Sequence, residues 1–371
     1  MLNRTASRPV AKSLVAACSI AMIAAFGMTG CADPSSNSQA STKDTGDIGI
    51  SLIVKTTTNP FFVSMNDAAK AAAAKDGVKL TLAAGKKDGD AATQIKAVED
   101  SISRGDKGIL ITPIDSTVNT AIAKARKAGI YVIALDTAPV PASAVDITFA
   151  TDNRAAGVSI GKWAAAQLNG KKAVIGLVDL FNNQVASVDY QRDQGFLEGM
   201  GIDVADPNKN GDEAKTGKYT GGQGGEYEIA GSQPSNGDEA DGRTAMETLL
   251  SKNPNINLVY SINEPAGYGA YQALKAAGMD KTTIIVSVDG GCTGVKEVAD
   301  GILGATAQQY PSKMAELGMA AIVKLVKSGE KPSVSSGLDF FSTGSQLVTD
   351  KTVSGLDSID SAAASKICWG K

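Results

Sequence analysis

Short apolar runs alternate with longer stretches of helical periodicity along most of the chain. Residues 48–54 form an apolar β run, 60–75 have helical spacing, 78–83 return to β, and 91–104 are again helical. The cycle continues through 108–111, 117–128, 131–135, 147–150, 154–168 and 173–178, with Gly129 and Gly170 placed as helix stops. A second half, 240–252, 258–262, 265–277, 283–288, 295–301, 305–308 and 312–327, repeats the style. Strands that are continuous apolar runs, each followed by a helix, predict parallel sheets covered on both faces, hence an α/β chain of doubly wound lobes. Residues 203–234 depart from the pattern: they are polar and Gly-rich, hold Tyr219 and Tyr227, and predict an excursion or hairpin between elements.

Composition narrows the chemistry. The chain has 371 residues, 43% apolar and 20% charged, enough for two domains at roughly 150 residues each. Histidine is absent, which removes serine- and cysteine-hydrolase triads, histidine general bases and His-containing zinc sites. The formal charge of −3, with no basic patch, argues against nucleic acid as a partner.

The first residues read as an address. Arg4, Arg8 and Lys12 precede an apolar stretch, 14–28, too short for a comfortable membrane span, and it ends in Met28-Thr29-Gly30-Cys31. The stretch resembles a bacterial lipoprotein signal, with Met28 where Leu is usual. That resemblance implies a signal peptide over 1–30, lipidation of Cys31 and attachment to a membrane without spanning it. Residues 31–46 carry no large apolar side chain after the cysteine and predict a flexible tether. Cys18 leaves with the signal and Cys31 takes the lipid, so Cys292 and Cys368 remain. Outside the reducing cytosol two thiols suggest one disulfide, with two unpaired buried thiols as the alternative.

In doubly wound sheets ligands bind beyond the carboxyl ends of the strands. The residues there are 55–62, 113–115, Asp136-Thr137, Thr151 to Asn153, 179–184, Asn263-Glu264, Asp289 and Gln308-Gln309. Carboxylates and amides offer several hydrogen bonds in fixed planes, and the aromatic faces of Phe61 and Phe62 suit the C–H groups of a ring. Lys55 and Arg192 add cations. This is chemistry for a polyhydroxylated ligand, since each hydroxyl taken from water and left unpaired costs about 1–3 kcal/mol.

The runs KTTTNPFFVS (55–64), VIALD (132–136), TDN (151–153), INE (262–264), SVDG (287–290) and AQQYP (307–311) stand in this order. Together they resemble the ribose-binding branch of the type I periplasmic sugar-binding proteins of ABC importers. The resemblance implies a type I periplasmic binding fold: two doubly wound lobes joined by a three-segment hinge. One lobe would comprise 47–151 plus 310–336, the other 152–309 plus 337–371. It implies no enzyme, no cofactor and no metal, a monomer with a monosaccharide ligand, and a permease with its ATPase as partner, with a sugar sensor serving a receptor as the alternative. Asn59, Asp136, Asn263, Asp289 and Gln309 would bond sugar hydroxyls, Phe61 and Phe62 would flank the ring, and Arg192 would reach it with a forked guanidinium. Lys55, Thr137 and Thr151 complete the candidate set. Ribose binders of this branch carry Arg at the position of Thr137, Ser at Lys55 and an aromatic at Gly237. Those differences, with Cys292 and the terminal Cys368-Trp369-Gly370, resemble the fructose-binding subgroup, so a ketohexose is expected before ribose, xylose or another aldose.

Other readings of the same residues predict different outcomes. Asp136, Asp289 and Asn263 can cap the helices after their strands, and Phe61 can be core. Trp163 and Trp369 are expected to be packing residues. Residues 206–212 match the first half of a calcium loop but Gly217 stands at the twelfth position, so a polar turn is expected. A secreted hydrolase would need Asp136 and Asp289 as opposed carboxylates. A repressor would need a helix-turn-helix where the export signal stands.

Overall fold

A strand buried on both faces needs helices above and below it, and the chain supplies one after nearly every strand. The computed structural model describes residues 48–370. The signal segment 1–30, the lipidation residue Cys31 and the tether 31–46 lie outside the described residues. The first half runs β1 (Gly49–Val54), α1 (Pro60–Asp76), β2 (Lys79–Ala84), α2 (Ala91–Arg104), β3 (Gly108–Ile111), α3 (Asn119–Lys127), β4 (Tyr131–Leu135) and β5 (Ile147–Ala150). The second half is α4 (Asn153–Leu168), β6 (Ala173–Asp179), α5 (Ser187–Met200), β7 (Thr216–Tyr219), β8 (Gly225–Pro234), α6 (Glu239–Lys252), β9 (Leu258–Ser261), α7 (Glu264–Ala276), β10 (Ile284–Asp289), α8 (Cys292–Ala299) and β11 (Ala305–Gln308). The chain ends with α9 (Pro311–Ser328), β12 (Phe341–Ser342), β13 (Gln346–Val348) and α10 (Ser361–Ala364).

The strands form two sheets. The first has the order β12-β5-β4-β3-β1-β2 with every pairing parallel. The second has the order β13-β11-β10-β9-β6-β8-β7, parallel except where β7 and β13 join its edges. Both orders reverse direction inside the sheet, after β1 in one and after β6 in the other, and such reversals open the crevice in which ligands sit. In the first lobe one face of the sheet buries Phe61, Phe62, Met65, Met314 and Ile322 of α1 and α9. The opposite face buries Val98 and Ile122 of α2 and α3. In the second lobe Trp163, Phe196 and Leu197 of α4 and α5 cover one face, and Met246, Leu249 and Leu274 of α6 and α7 the other.

Two boundaries differ from expectation. Segment 203–234 is a hairpin, but its second strand is a full member of the sheet, with β8 parallel to β6. Tyr227 and Ile229 point inward while Glu226 and Glu228 do not, the alternation of a strand buried on one face only, which is why the stretch reads as polar. The chain passes between the sheets after β5, after β11 and after β12. Residues 337–342 therefore stay with the first lobe, because Phe341 pairs with Phe149 in register and packs against its ring.

Helices α4 and α5 cross with their backbones in near contact. A Cβ at Gly157 would lie 2.3 Å from the Arg192 carbonyl oxygen, and one at Gly195 2.4 Å from that of Arg154. Only glycine lets the helices approach so closely, and this crossing fixes where Arg192 emerges.

Cys292 and Cys368 form a disulfide closing 76 residues of sequence. It ties the tail beyond α10 to the start of α8, where the Cys292 N–H also donates to the Trp369 carbonyl at 2.9 Å. A crosslink of this span restricts the unfolded chain by roughly 2–4 kcal/mol. Chemical denaturation with and without a reductant should show a loss of that order, and a denatured chain beginning at Ala32 should titrate with no free thiols.

Candidate functional site

The site is built on a buried cation. Arg192 leaves α5 at 4% exposure and every nitrogen of its guanidinium finds an acceptor. Nε donates to Asn153 Oδ1 at 2.7 Å, Nη1 to the Ile262 carbonyl at 2.9 Å, and Nη2 to Gln309 Oε1 at 3.2 Å. Gln309 passes the bonding on, its Nε2 donating to Asp289 Oδ1 at 2.9 Å. All of these groups belong to the second lobe: Arg192 on α5, Asn153 at the start of α4, and the others at the carboxyl ends of β9, β10 and β11.

The first lobe answers with Asp136, at the end of β4. Its Oδ1 lies 3.7 Å from Arg192 Nη2, its Oδ2 lies 4.0 Å from Lys55 Nζ, and Thr137 Oγ1 donates to Oδ2 at 2.8 Å. Lys55 is 2% exposed, so its ammonium is held inside the cleft rather than reaching out to water. Asp136 adopts φ 64° and Asp289 φ 150°. Neither caps the following helix: β10 is followed by Gly291 as the α8 cap, and Asp136 precedes no helix start. Non-glycine residues at positive φ cluster where a side chain must be aimed.

The remaining candidates divide. Asn59 lines the cleft, but its Oδ1 caps α1 by accepting from the Phe61 N–H at 2.9 Å, leaving the amide nitrogen for a ligand. Asn263 likewise caps α7, accepting from the Ala266 N–H at 3.0 Å, while its Nδ2 donates to the Gly237 carbonyl at 3.0 Å. Thr151 is fully buried with no partner for Oγ1, and its carbonyl accepts from Asn153 Nδ2 at 3.2 Å. Phe61 and Phe62 sit in the core of the first lobe, edge to face at 5.3 Å, and do not line the cavity. Their place at the first turn of α1 points them down onto the sheet. Residues 206–212 form a turn in which Asp206 Oδ1 accepts from the Asn208 N–H at 2.9 Å.

Three residues with a part in the site stand outside the candidate set. Asn153 orients Arg192. Glu264, at the start of α7, lines the cavity and accepts from the Gly290 N–H at 2.7 Å, Thr306 Oγ1 at 2.7 Å and the Gly291 N–H at 3.0 Å, so it shapes the turn after Asp289. Trp369 was expected to be packing alone. It lines the cavity, donates from Nε1 to the Gln309 carbonyl at 3.0 Å and meets the Phe61 ring edge to face at 5.4 Å. The disulfide brings it there from the end of the chain, a displacement that position along the sequence does not signal.

A cavity of about 820 Å³ opens beside this network and touches it at Asn59, Glu264, Asp289 and Trp369, whereas Asp136, Lys55, Arg192 and Gln309 are buried behind its wall. Among the described residues no group of three or more Cys, Asp or Glu has the arrangement of a metal site. A model of the periplasmic binding protein domain matches residues 50–331. The chain belongs to this family. The ribose import binding protein of Haemophilus influenzae is 32% identical over 296 residues, covering 80% of this chain and 89% of that one. The D-allose-binding periplasmic protein of Escherichia coli is 26% identical, covering 80% and 91%. Among solved structures, an ABC transporter solute-binding protein from Agrobacterium vitis with bound D-fucose superposes with a TM-score of 0.68 at 26% identity, covering 83% of this chain and 97% of that one. The family consists of solute-binding proteins rather than enzymes, and the two-sheet type I fold is the one seen here.

Burial gives this binding cleft a proton affinity of its own. Desolvation raises Asp289 from the ordinary aspartate range to about 7, with the Arg192 charge opposing and Asp136 adding to the rise. Glu264 is raised well above its usual value by burial and by Asp289. A carboxyl that holds its proton more tightly folded than unfolded contributes stability at low pH and loses it as pH rises, for Asp289 between about 4 and about 7. Urea unfolding of the ligand-free protein and of Asp289→Asn should therefore show the variant gaining on the wild type as pH rises through that window.

Proposed function

We propose that the protein captures a monosaccharide between its lobes outside the cytoplasm and delivers it to the permease and ATPase of an ABC importer. The observation that carries this reading is a buried polar network split between the lobes. Asp136, Lys55 and Thr137 come from one lobe, and Arg192, Asn153, Gln309 and Asp289 from the other, with 3.7 Å between Asp136 and Arg192. A ring whose hydroxyls bond to both halves stabilises the closed arrangement by its differential affinity for it. Hinge closure of this kind is the behaviour for which periplasmic binding proteins are known as a class. The relatives' names, import binding proteins for ribose and allose-binding proteins, support both the sugar and the importer.

Within the sugars we favour fructose, with ribose, xylose or another aldose second. Thr137 stands where ribose binders of this branch carry an arginine, and Lys55, at the end of β1 two strands from β4, joins Arg192 as a second cation near Asp136. Gly237 removes a wall. The membrane attachment through Cys31 belongs to the same reading and rests on the signal sequence alone. No described helix is long and apolar enough to cross a membrane.

Calorimetric titration against pentoses and hexoses tests the reading, with fructose expected to bind most tightly and no sugar binding at all as the refuting result. Small-angle scattering should show a smaller radius of gyration at saturation. Lys55→Ala removes the charge that faces Asp136 at 4.0 Å and the donor offered to the ring, and should weaken binding by about 1.5–3 kcal/mol, roughly tenfold to a hundredfold. An unchanged dissociation constant would show that Lys55 serves the fold and not the ligand.

A further inference from the structure

The cavity lies beyond the groups around Arg192 and meets the sugar-binding candidates of the inner site only at Asn59 and Asp289. At about 820 Å³ it lies near the top of the roughly 300–1,000 Å³ range of pockets that bury drug-sized ligands. From Asn59 and Asp289 it runs past Gly237 and continues along the second lobe between the starts of α6 and α7 and the helix α8, as far as Tyr268, Glu297 and Ile302. None of the groups that surround Arg192 reaches this outer part.

Glu297 is the anomaly there. The residue is 7% exposed, and its Oε2 is buried with no hydrogen-bond partner. The nearest cation on its own helix, Lys296, is paired with Asp300 instead. Desolvation, with the charges of Glu239 and Asp300, pushes Glu297 up to about 8 against the pull of Lys296. A buried carboxyl without a partner destabilises a fold, and one that persists on a cavity wall calls for a donor from outside. Tyr268 on α7 offers a half-buried aromatic face to the same space. Gly237 keeps the way between the two parts open: it sits at φ 67°, and even a Cβ there would stand 2.9 Å from Asn263 Nδ2.

We propose that the outer part of the cleft is a second subsite, taking a hydroxylated unit joined to the sugar held at Asp136 and Asp289. The ligand class is then a disaccharide or glycosyl polyol, whose second unit gives a hydroxyl to Glu297 and lays its C–H face on Tyr268. This rests on the sugar-binding reading of the inner site. A polar second unit fits better than an apolar one, because Asp238, Glu239, Asp241 and Asp300 line the same space. It would also satisfy the one buried carboxyl oxygen of the cavity wall that the protein leaves without a partner.

The test is calorimetry on the full mature chain with fructose and with the fructose-containing disaccharides sucrose, turanose, palatinose and lactulose. At least one disaccharide is expected to bind tenfold or more tightly than fructose. Glu297→Leu should abolish that advantage while leaving fructose affinity unchanged and thermal stability equal or higher, since an unpartnered carboxyl has gone. Tyr268→Ala, at a half-exposed position, should show the same selective loss and serves if Glu297→Leu does not fold. If fructose binds and no disaccharide binds more tightly, or if both variants leave the disaccharide affinity unchanged, the second subsite is refuted and the inner site stands. If no sugar binds, the sugar reading fails and this inference with it.

Discussion

A guanidinium withdrawn from water has to be matched at every nitrogen, and Arg192 sets that requirement for the whole cleft. Taking an ion into a protein interior costs several kcal/mol unless its hydrogen bonds are met with good geometry. Three acceptors from three separate elements meet it: Asn153 at the start of α4, the Ile262 carbonyl after β9, and Gln309 after β11. Each of those elements is thereby held in register with the others at its carboxyl end. The planar fork of arginine suits this arrangement, and a lysine at 192 would leave acceptors unanswered. With two acids, Asp136 and Asp289, set against two cations, Arg192 and Lys55, the cleft is formally balanced, and a ligand rich in hydroxyl groups can join it without bringing charge of its own.

The fold supplies the precision that the network needs. Arg192 and Asn153 lie on helices that cross at glycines, with Gly157 and Gly161 against Gly195 and Gly199. A methyl group at any of these would collide with backbone and push the guanidinium away from its acceptors. Destabilisation and loss of the site are thus linked in this region, because the same backbone contact serves both. By contrast Lys55 and Asp136 rest on strand ends of the other sheet, where register between β1, β3 and β4 fixes them independently.

Much of this was legible in the sequence, and the failures have physical causes. Continuous apolar runs separated by amphipathic stretches specify parallel strands and covering helices, and the residues just past those strands include Lys55, Asp136, Asn263, Asp289 and Gln309. The hairpin strand β8 was obscured because one face of it is polar. The turn from the first lobe to the second after Ser342 was misplaced because a two-residue strand carries no periodicity. Phe61 and Phe62 read as ring-flanking from their motif; both are buried at the start of α1, where Phe61 also meets Trp369, a contact that no local pattern signals. The pairs Gly157/Gly161 and Gly195/Gly199, four residues apart on successive helices, were a readable sign of a close crossing. Trp369 could not be placed from local pattern at all.

That last residue shows how the ends of the structure depend on one another. The tail after α10 has few apolar side chains, so its own burial would not hold it in place. The Cys292–Cys368 bond fixes it to α8, and the neighbouring Trp369 can then spend its large apolar surface on Phe61 in the opposite lobe while its indole N–H satisfies the Gln309 carbonyl. Gln309 is itself the link between Arg192 and Asp289. A covalent bond at the start of α8 therefore reaches the candidate binding groups through two short steps, and it also lays one lobe's tail on the other lobe's core. Relative movement of the lobes must carry or part the Trp369–Phe61 contact, an apolar link that lies one hydrogen bond away from Gln309.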